Sequence, residues 1–156
     1  MRSILESPVD PERLNLLSRL VERVYALHET AHSYENELVE LGALAGSAVT
    51  PFQIDCAFGS ASPRSFAHDL LVRSVVIPSD IGRAEMLEML QHLLQPKRGE
   101  LRHGYWLACL ARSTGDQRIS DLIYWPGEYF KDGDNSRDMS AEAILRVAEA
   151  SGRSEN

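Results

Sequence analysis

Cysteine is scarce in this chain of 156 residues: only Cys56 and Cys109 occur, which excludes a small scaffold stapled by several disulfides. Each sits in an apolar stretch, Ile54-Asp55-Cys56-Ala57-Phe58 and Trp106-Leu107-Ala108-Cys109-Leu110, so both are expected to be buried free thiols of a reducing cytoplasm. Long hydrophobic runs are absent too. The longest, Tyr105 to Ala111, is far short of the roughly 20 residues that span a bilayer. Met1-Arg2-Ser3 leads into Pro8, Asp10 and Glu12 with no apolar stretch between, so no secretory signal is expected. Positive charge is in deficit, 16 Lys and Arg against 23 Asp and Glu, for a net charge of −7. That balance argues against nucleic acid or an anionic membrane as the partner and suits a basic protein. No G-x-S-x-G surrounds Ser60 or Ser62, no glycine-rich phosphate loop occurs, and no run alternates with period 2.

What is present is helical periodicity. Asp10 precedes Pro11, and Leu14, Leu17, Leu20, Val21, Val24 and Leu27 then recur on one face, which predicts an amphipathic helix of about 16 to 18 residues. Ser33 is placed to cap a second helix carrying Leu38, Val39, Leu41 and Ala45, stopped at Gly46. Thr50-Pro51 opens a short helix to about Cys56, and Ser62-Pro63 opens another to about Val72. Val75 to Pro78 reads as a packed apolar connector, and the domain boundary falls there: a helical region 1–78 and a second region 79–156, or one core shared by both. Beyond it, Met86, Leu87, Met89, Leu90, Leu93 and Leu94 mark a helix that ends before Pro96, and Lys97-Arg98-Gly99 marks a turn. A helix from about Glu100 to Arg112 is stopped by Gly115, and a last one begins at Ser140; Ser151 onward is expected to fray. The fold class is therefore all-α. The negative excess lies in the first half, at −5 before Ile81 and −2 from it onward.

His28-Glu29-Thr30-Ala31-His32 matches HExxH, which on an unbroken helix puts two imidazoles around zinc with the glutamate as general base. Here Ser33 and the change of apolar phase near His28 indicate a helix end instead, and Glu35 stands where the longer metzincin pattern needs glycine. No metal or cofactor is expected; His28 and His32 are the candidate ligands, with Glu40 or Asp55 as a third but in no recognisable second motif, and a zinc hydrolase using the two histidines with Glu29 is the enzymatic alternative. His68 and Asp69 are sequence neighbours that cannot face each other on a helix. His92 and His103 read as surface or boundary positions. Lys97, Arg98 and Arg102 make a small basic cluster of the kind that is usually a solvated face.

Ser120-Asp121-Leu122-Ile123-Tyr124-Trp125-Pro126 is the most informative stretch. Neighbours on a helix point about 100° apart, so if Leu122 and Ile123 anchor the segment, at least one of the two rings leans outward. Exposed Tyr or Trp beside Asp is the composition of a binding hot spot. With the capped helix at Ser140, Glu142 and Ile144, and with Glu85, Leu90, Trp106 and Leu110 upstream in matching order, the stretch resembles the colicin and pyocin nuclease immunity proteins over about residues 82–150. That resemblance implies a four-helix bundle with a short third helix, here preceded by a smaller helical N-terminal half packed against it. It implies a protein that blocks a toxic nuclease by binding beside its active site, with Asp121, Tyr124 and Trp125 as anchors and Ser120 at their edge. Trp125 stands where the family usually has Tyr. The segment Leu101 to Arg112 holds Arg102, His103 and Arg112 but no acid, although the family's second helix usually supplies acidic contacts. Either the partner differs, or Glu35, Glu37 and Glu40 and the loop acids Asp132, Asp134 and Asp138 supply the negative field.

The expectation is thus a non-enzymatic cytoplasmic protein that neutralises a bacterial protein toxin, with a nuclease as the leading candidate and with neither nucleic acid nor membrane as partner. The main alternative is a structural or regulatory adaptor using the same surface. Oligomeric state is not assigned.

Overall fold

The computed structural model describes residues 1–95 and 100–154, and among them it contains helices and no strand. Arg2–Val76 forms one compact unit and the chain from Ile77 another. The first holds α1 (Ser3–Glu6), α2 (Pro11–Glu29), α3 (Glu35–Ala45), α4 (Pro51–Ala57) and α5 (Pro63–Val72). The second holds α6 (Arg83–Leu93), α7 (His103–Thr114), α8 (Ile119–Tyr124), α9 (Pro126–Tyr129) and α10 (Ala141–Ser154). No helix among the described residues is long and apolar enough to cross a membrane.

In the first unit, the Asp10 carboxylate accepts the Glu12 N–H at 3.3 Å and Pro11 fills the first helical position, so α2 starts where a donor is not needed. Its buried face of Leu14, Leu17, Leu20, Val21 and Val24 packs on α3 and α5. A reciprocal capping box starts α4: Thr50 Oγ1 accepts the Gln53 N–H at 3.3 Å and Gln53 Oε1 accepts the Thr50 N–H at 2.8 Å. Ser62 Oγ accepts the Ser65 N–H at 3.1 Å and starts α5.

Three expectations need correction here. Tyr34, not Ser33, occupies the cap position of α3, and its side chain makes no capping bond; its hydroxyl instead meets His28 Nδ1 at 3.0 Å. Cys56 is exposed while Cys109 is buried. The short α4 buries Ile54 and Ala57, three residues apart on one face, and Cys56, two residues from Ile54, points away from it. The apolar connector is only half packed: Val75 and Ile77 are partly buried, whereas Val76 is 80% exposed just after a turn closed by the Val75 N–H on the Val72 carbonyl at 3.0 Å.

In the second unit, α10 packs on α6, α7 and α8 through Ala141, Ile144, Leu145 and Ala148. Ser140 Oγ accepts the Ala143 N–H at 3.2 Å. The helix runs to Ser154 instead of fraying from Ser151, because Gly152 is buried against the end of α7. Gly115 there is left-handed at φ +82° and donates its N–H to the Ala111 carbonyl at 2.9 Å.

Helix α7 starts at His103, three residues later than expected. The Glu100 carboxylate takes the Arg102 N–H at 3.1 Å and its guanidinium at 2.7 and 2.8 Å, a local side-chain bond that holds the backbone out of the helix. The guanidinium also lies 4.6 Å from the centre of the buried Trp106 ring, which His92 and His103 flank. Lys97 and Arg98, with the expected turn at Gly99, lie outside the described residues.

Hydrogen bonds from Arg102 pull the Glu100 carboxyl down to about 2. A depressed carboxyl contributes stability that is complete above its unfolded pKa and lost as pH falls toward the folded one. Wild type is therefore expected to lose stability between about pH 4.5 and 2 more steeply than Glu100→Gln. Urea unfolding across that range checks it, and parallel acid limbs would refute it.

Candidate functional site

Ile119 and Leu122, three residues apart, are the buried side of α8. Pro126 disfavours helical backbone at the residue before it, and Trp125 accordingly leaves the helix with φ −136° and ψ 59°. Both short helices share this knee. The Trp125 N–H donates to the Asp121 carbonyl at 2.7 Å, while the Trp125 carbonyl accepts the N–H groups of Glu128 and Tyr129 at 3.0 and 3.1 Å. Since Leu122 and then Pro126 and Gly127 take the interior, both rings remain outside: Tyr124 is 43% exposed and Trp125 57%. Phe130, 36% exposed, packs edge-on to Tyr129 with ring centres 5.1 Å apart.

Ser120 and Asp121 are partly buried beside these rings. Asp121 lies 3.7 Å from Arg118, one turn earlier. An ion pair this exposed is worth well under about 1 kcal/mol, so the carboxylate can exchange Arg118 for a partner's cation at little cost. Partial burial pushes the Tyr124 hydroxyl above its ordinary pKa.

Beneath the knee is Asp116, which sequence reasoning missed. It is 1% exposed, and its carboxylate accepts the Arg118 N–H at 2.9 Å and the Tyr129 hydroxyl at 2.7 Å. The Arg118 guanidinium in turn covers the Tyr129 ring at 5.0 Å and donates to the Glu128 carbonyl at 3.2 Å. One buried carboxylate thus ties the start of α8 to the end of α9. Its only sequence signal is a polar residue just after the helix-ending Gly115.

No protein-family model, curated protein or solved structure matches the chain.

The HExxH residues are not brought together on a helix. Helix α2 ends at Glu29, Thr30 closes it, and Ala31 turns left-handed at φ 56°, so His32 lies beyond the break and bonds Thr30 Oγ1 at 2.7 Å. His28 instead lies between Tyr34 and Asp55, the latter 3.6 Å from Nε2, with its ring 4.8 Å from that of Phe58. Among the described residues, no group of three or more His, Cys, Asp or Glu is placed to hold a metal ion. His68 is buried in α5 and its neighbour Asp69 is exposed. The acids Glu35 and Glu40 are exposed on α3, where Glu37 faces Arg23 at 3.5 Å. Asp132, Asp134 and Asp138 belong to the loop after α9.

Proposed function

We propose that this chain is a non-enzymatic immunity-like protein that acts in the cytoplasm, binding and neutralising a bacterial protein toxin, a nuclease bacteriocin in the leading form. The observation that carries the reading is the knee at Trp125, which leaves Tyr124 and Trp125 exposed beside Asp121. Large rigid rings lose little conformational entropy on binding and supply most of the energy at protein interfaces. The resemblance of Asp121 through Pro126 to immunity proteins turns a general binding surface into a toxin-binding one. The net charge of −7 suits a basic partner.

The test is binding of the product of the gene beside this one, measured with wild type, Tyr124→Ala and Trp125→Ala. Each substitution is expected to weaken binding by about 30-fold or more, the scale of a hot-spot truncation, with melting temperature nearly unchanged because both rings are about half exposed. Undiminished binding by both folded variants would sink the assignment.

A further inference from the structure

The loop after α9 is fastened to the aromatic knee through a residue that can only be glycine. Gly127 donates its N–H to Asn135 Oδ1 at 2.9 Å, and its carbonyl accepts the N–H groups of Asp132 and Gly133 at 3.0 and 3.1 Å. A Cβ at Gly127 would come within 2.6 Å of the Asp134 nitrogen and the Gly133 carbonyl carbon. Two residues of backbone separate Gly127 from Trp125, about 7 Å at most, so the loop backbone that packs on Gly127 is fastened beside the exposed indole. From Glu128 to Asp138 there are four acids and two bases. Arg137 pairs with Asp132 and covers the Phe130 ring at 4.2 Å, whereas Asp134 and Asp138 are exposed.

Resting on the binding role proposed above, we infer that Phe130 and the loop 131–138 belong to the same interaction surface, and that its occupant is a basic protein face with an apolar centre. The aromatic edge supplies the apolar contact; Asp134 and Asp138 select and steer the cationic rim. A second copy of this chain, itself at −7, is disfavoured by charge.

Two measurements test this. Trp106 is 1% exposed and Trp125 57%, so ionic quenchers report the field at Trp125. Normalised to their quenching of free N-acetyltryptophanamide, caesium is expected to quench its fluorescence better than iodide, with the preference reduced in Asp134→Asn/Asp138→Asn; an equal normalised ratio in wild type and variant overturns the inference without needing any partner. With the neighbouring gene product as titrant, the double variant is expected to associate about fivefold more slowly at low salt and equally at high salt. Gly127→Ala should show the same loss by displacing the loop. If Tyr124→Ala weakens binding while the double variant associates like wild type at both salts, the loop is excluded and the binding role stands. If wild type does not bind at all, the binding role fails and takes this inference with it. A doubled mass in solution that Trp125→Ala abolishes would place a second copy on the surface and overturn the basic-partner assignment.

Discussion

Gly152→Ala is expected to destabilise the unit from Ile77 onward by about 3 kcal/mol, the upper part of the range for overpacking. The sign is the informative part. A glycine-to-alanine change in a helix ordinarily stabilises by about 0.5–1 kcal/mol, because the unfolded chain loses freedom. At Gly152, however, the new Cβ would sit 1.9 Å from the Thr114 carbonyl oxygen and 3.0 Å from the Gly115 Cα. Both are backbone atoms, and Thr114 and Gly115 are held by the left-handed stop of α7. To restore an ordinary contact of 3.4 Å, α10 would have to retreat by about 1.5 Å and lift Leu145 and Ala148 from the core. Thermal unfolding followed by circular dichroism should show the midpoint of that unit lower by about 12–24 °C, at roughly 4–8 °C per kcal/mol for a unit of its size. Gly104→Ala in α7 is the control, since a Cβ there meets nothing within 4 Å, and it should melt slightly above wild type. A Gly152→Ala protein melting at or above wild type would refute the close contact.

The same contact shows where sequence reading stops. The ends of α2 and α5 were legible because Asp10-Pro11 and Ser62-Pro63 carry their own mechanism. The helical class followed from apolar spacing alone. Ser151-Gly152-Arg153-Ser154 looked like a fraying tail because a backbone-to-backbone approach leaves no hydrophobic residue to mark it. Helix α7 began late because Glu100 competes for the Arg102 amide, a local choice that periodicity does not register. Cys56 was misplaced because an apolar neighbourhood in sequence says nothing about which side of a two-turn helix faces the core. The knee was the most legible part of the candidate site. Neighbours about 100° apart after the anchor Leu122 leave at least one ring outward; the break at Trp125 before Pro126, which leaves both outside, was not read from the sequence. The acids of the loop behind Gly127 were legible, but Asp116, Tyr129 and the fastening of that loop to Gly127 were not, because they rest on hydrogen bonds across 13 and 8 residues.

Asp116→Ala is expected to cost about 2–3 kcal/mol and to weaken partner binding although Asp116 touches no partner. The carboxylate is buried, and its removal strands the Arg118 N–H and leaves the Tyr129 hydroxyl only its Ser151 neighbour, where it now holds them at 2.9 and 2.7 Å. Unsatisfied partly buried donors cost about 1–3 kcal/mol each, and the lost acceptor is charged. Without it α8 and α9 keep the backbone at Trp125 and the Arg118 contacts to the Glu128 carbonyl and the Tyr129 ring but lose their buried tie, so the rings lose part of the rigid mounting that makes them effective anchors. Asp116→Asn keeps one carboxamide oxygen for the Arg118 N–H and lets the Tyr129 hydroxyl reverse its role, so it should recover most of the stability. Tyr129→Phe removes one bond and should cost about 1 kcal/mol. Amide exchange separates mounting from contact: in Asp116→Ala, protection of residues 119–130 should fall while α2 and α5 exchange as in wild type. Tyr124→Ala should leave every amide unchanged and still bind poorly. Equal protection of 119–130 in wild type and Asp116→Ala would show that the knee holds itself, and the loss of binding would then have to come from charge alone.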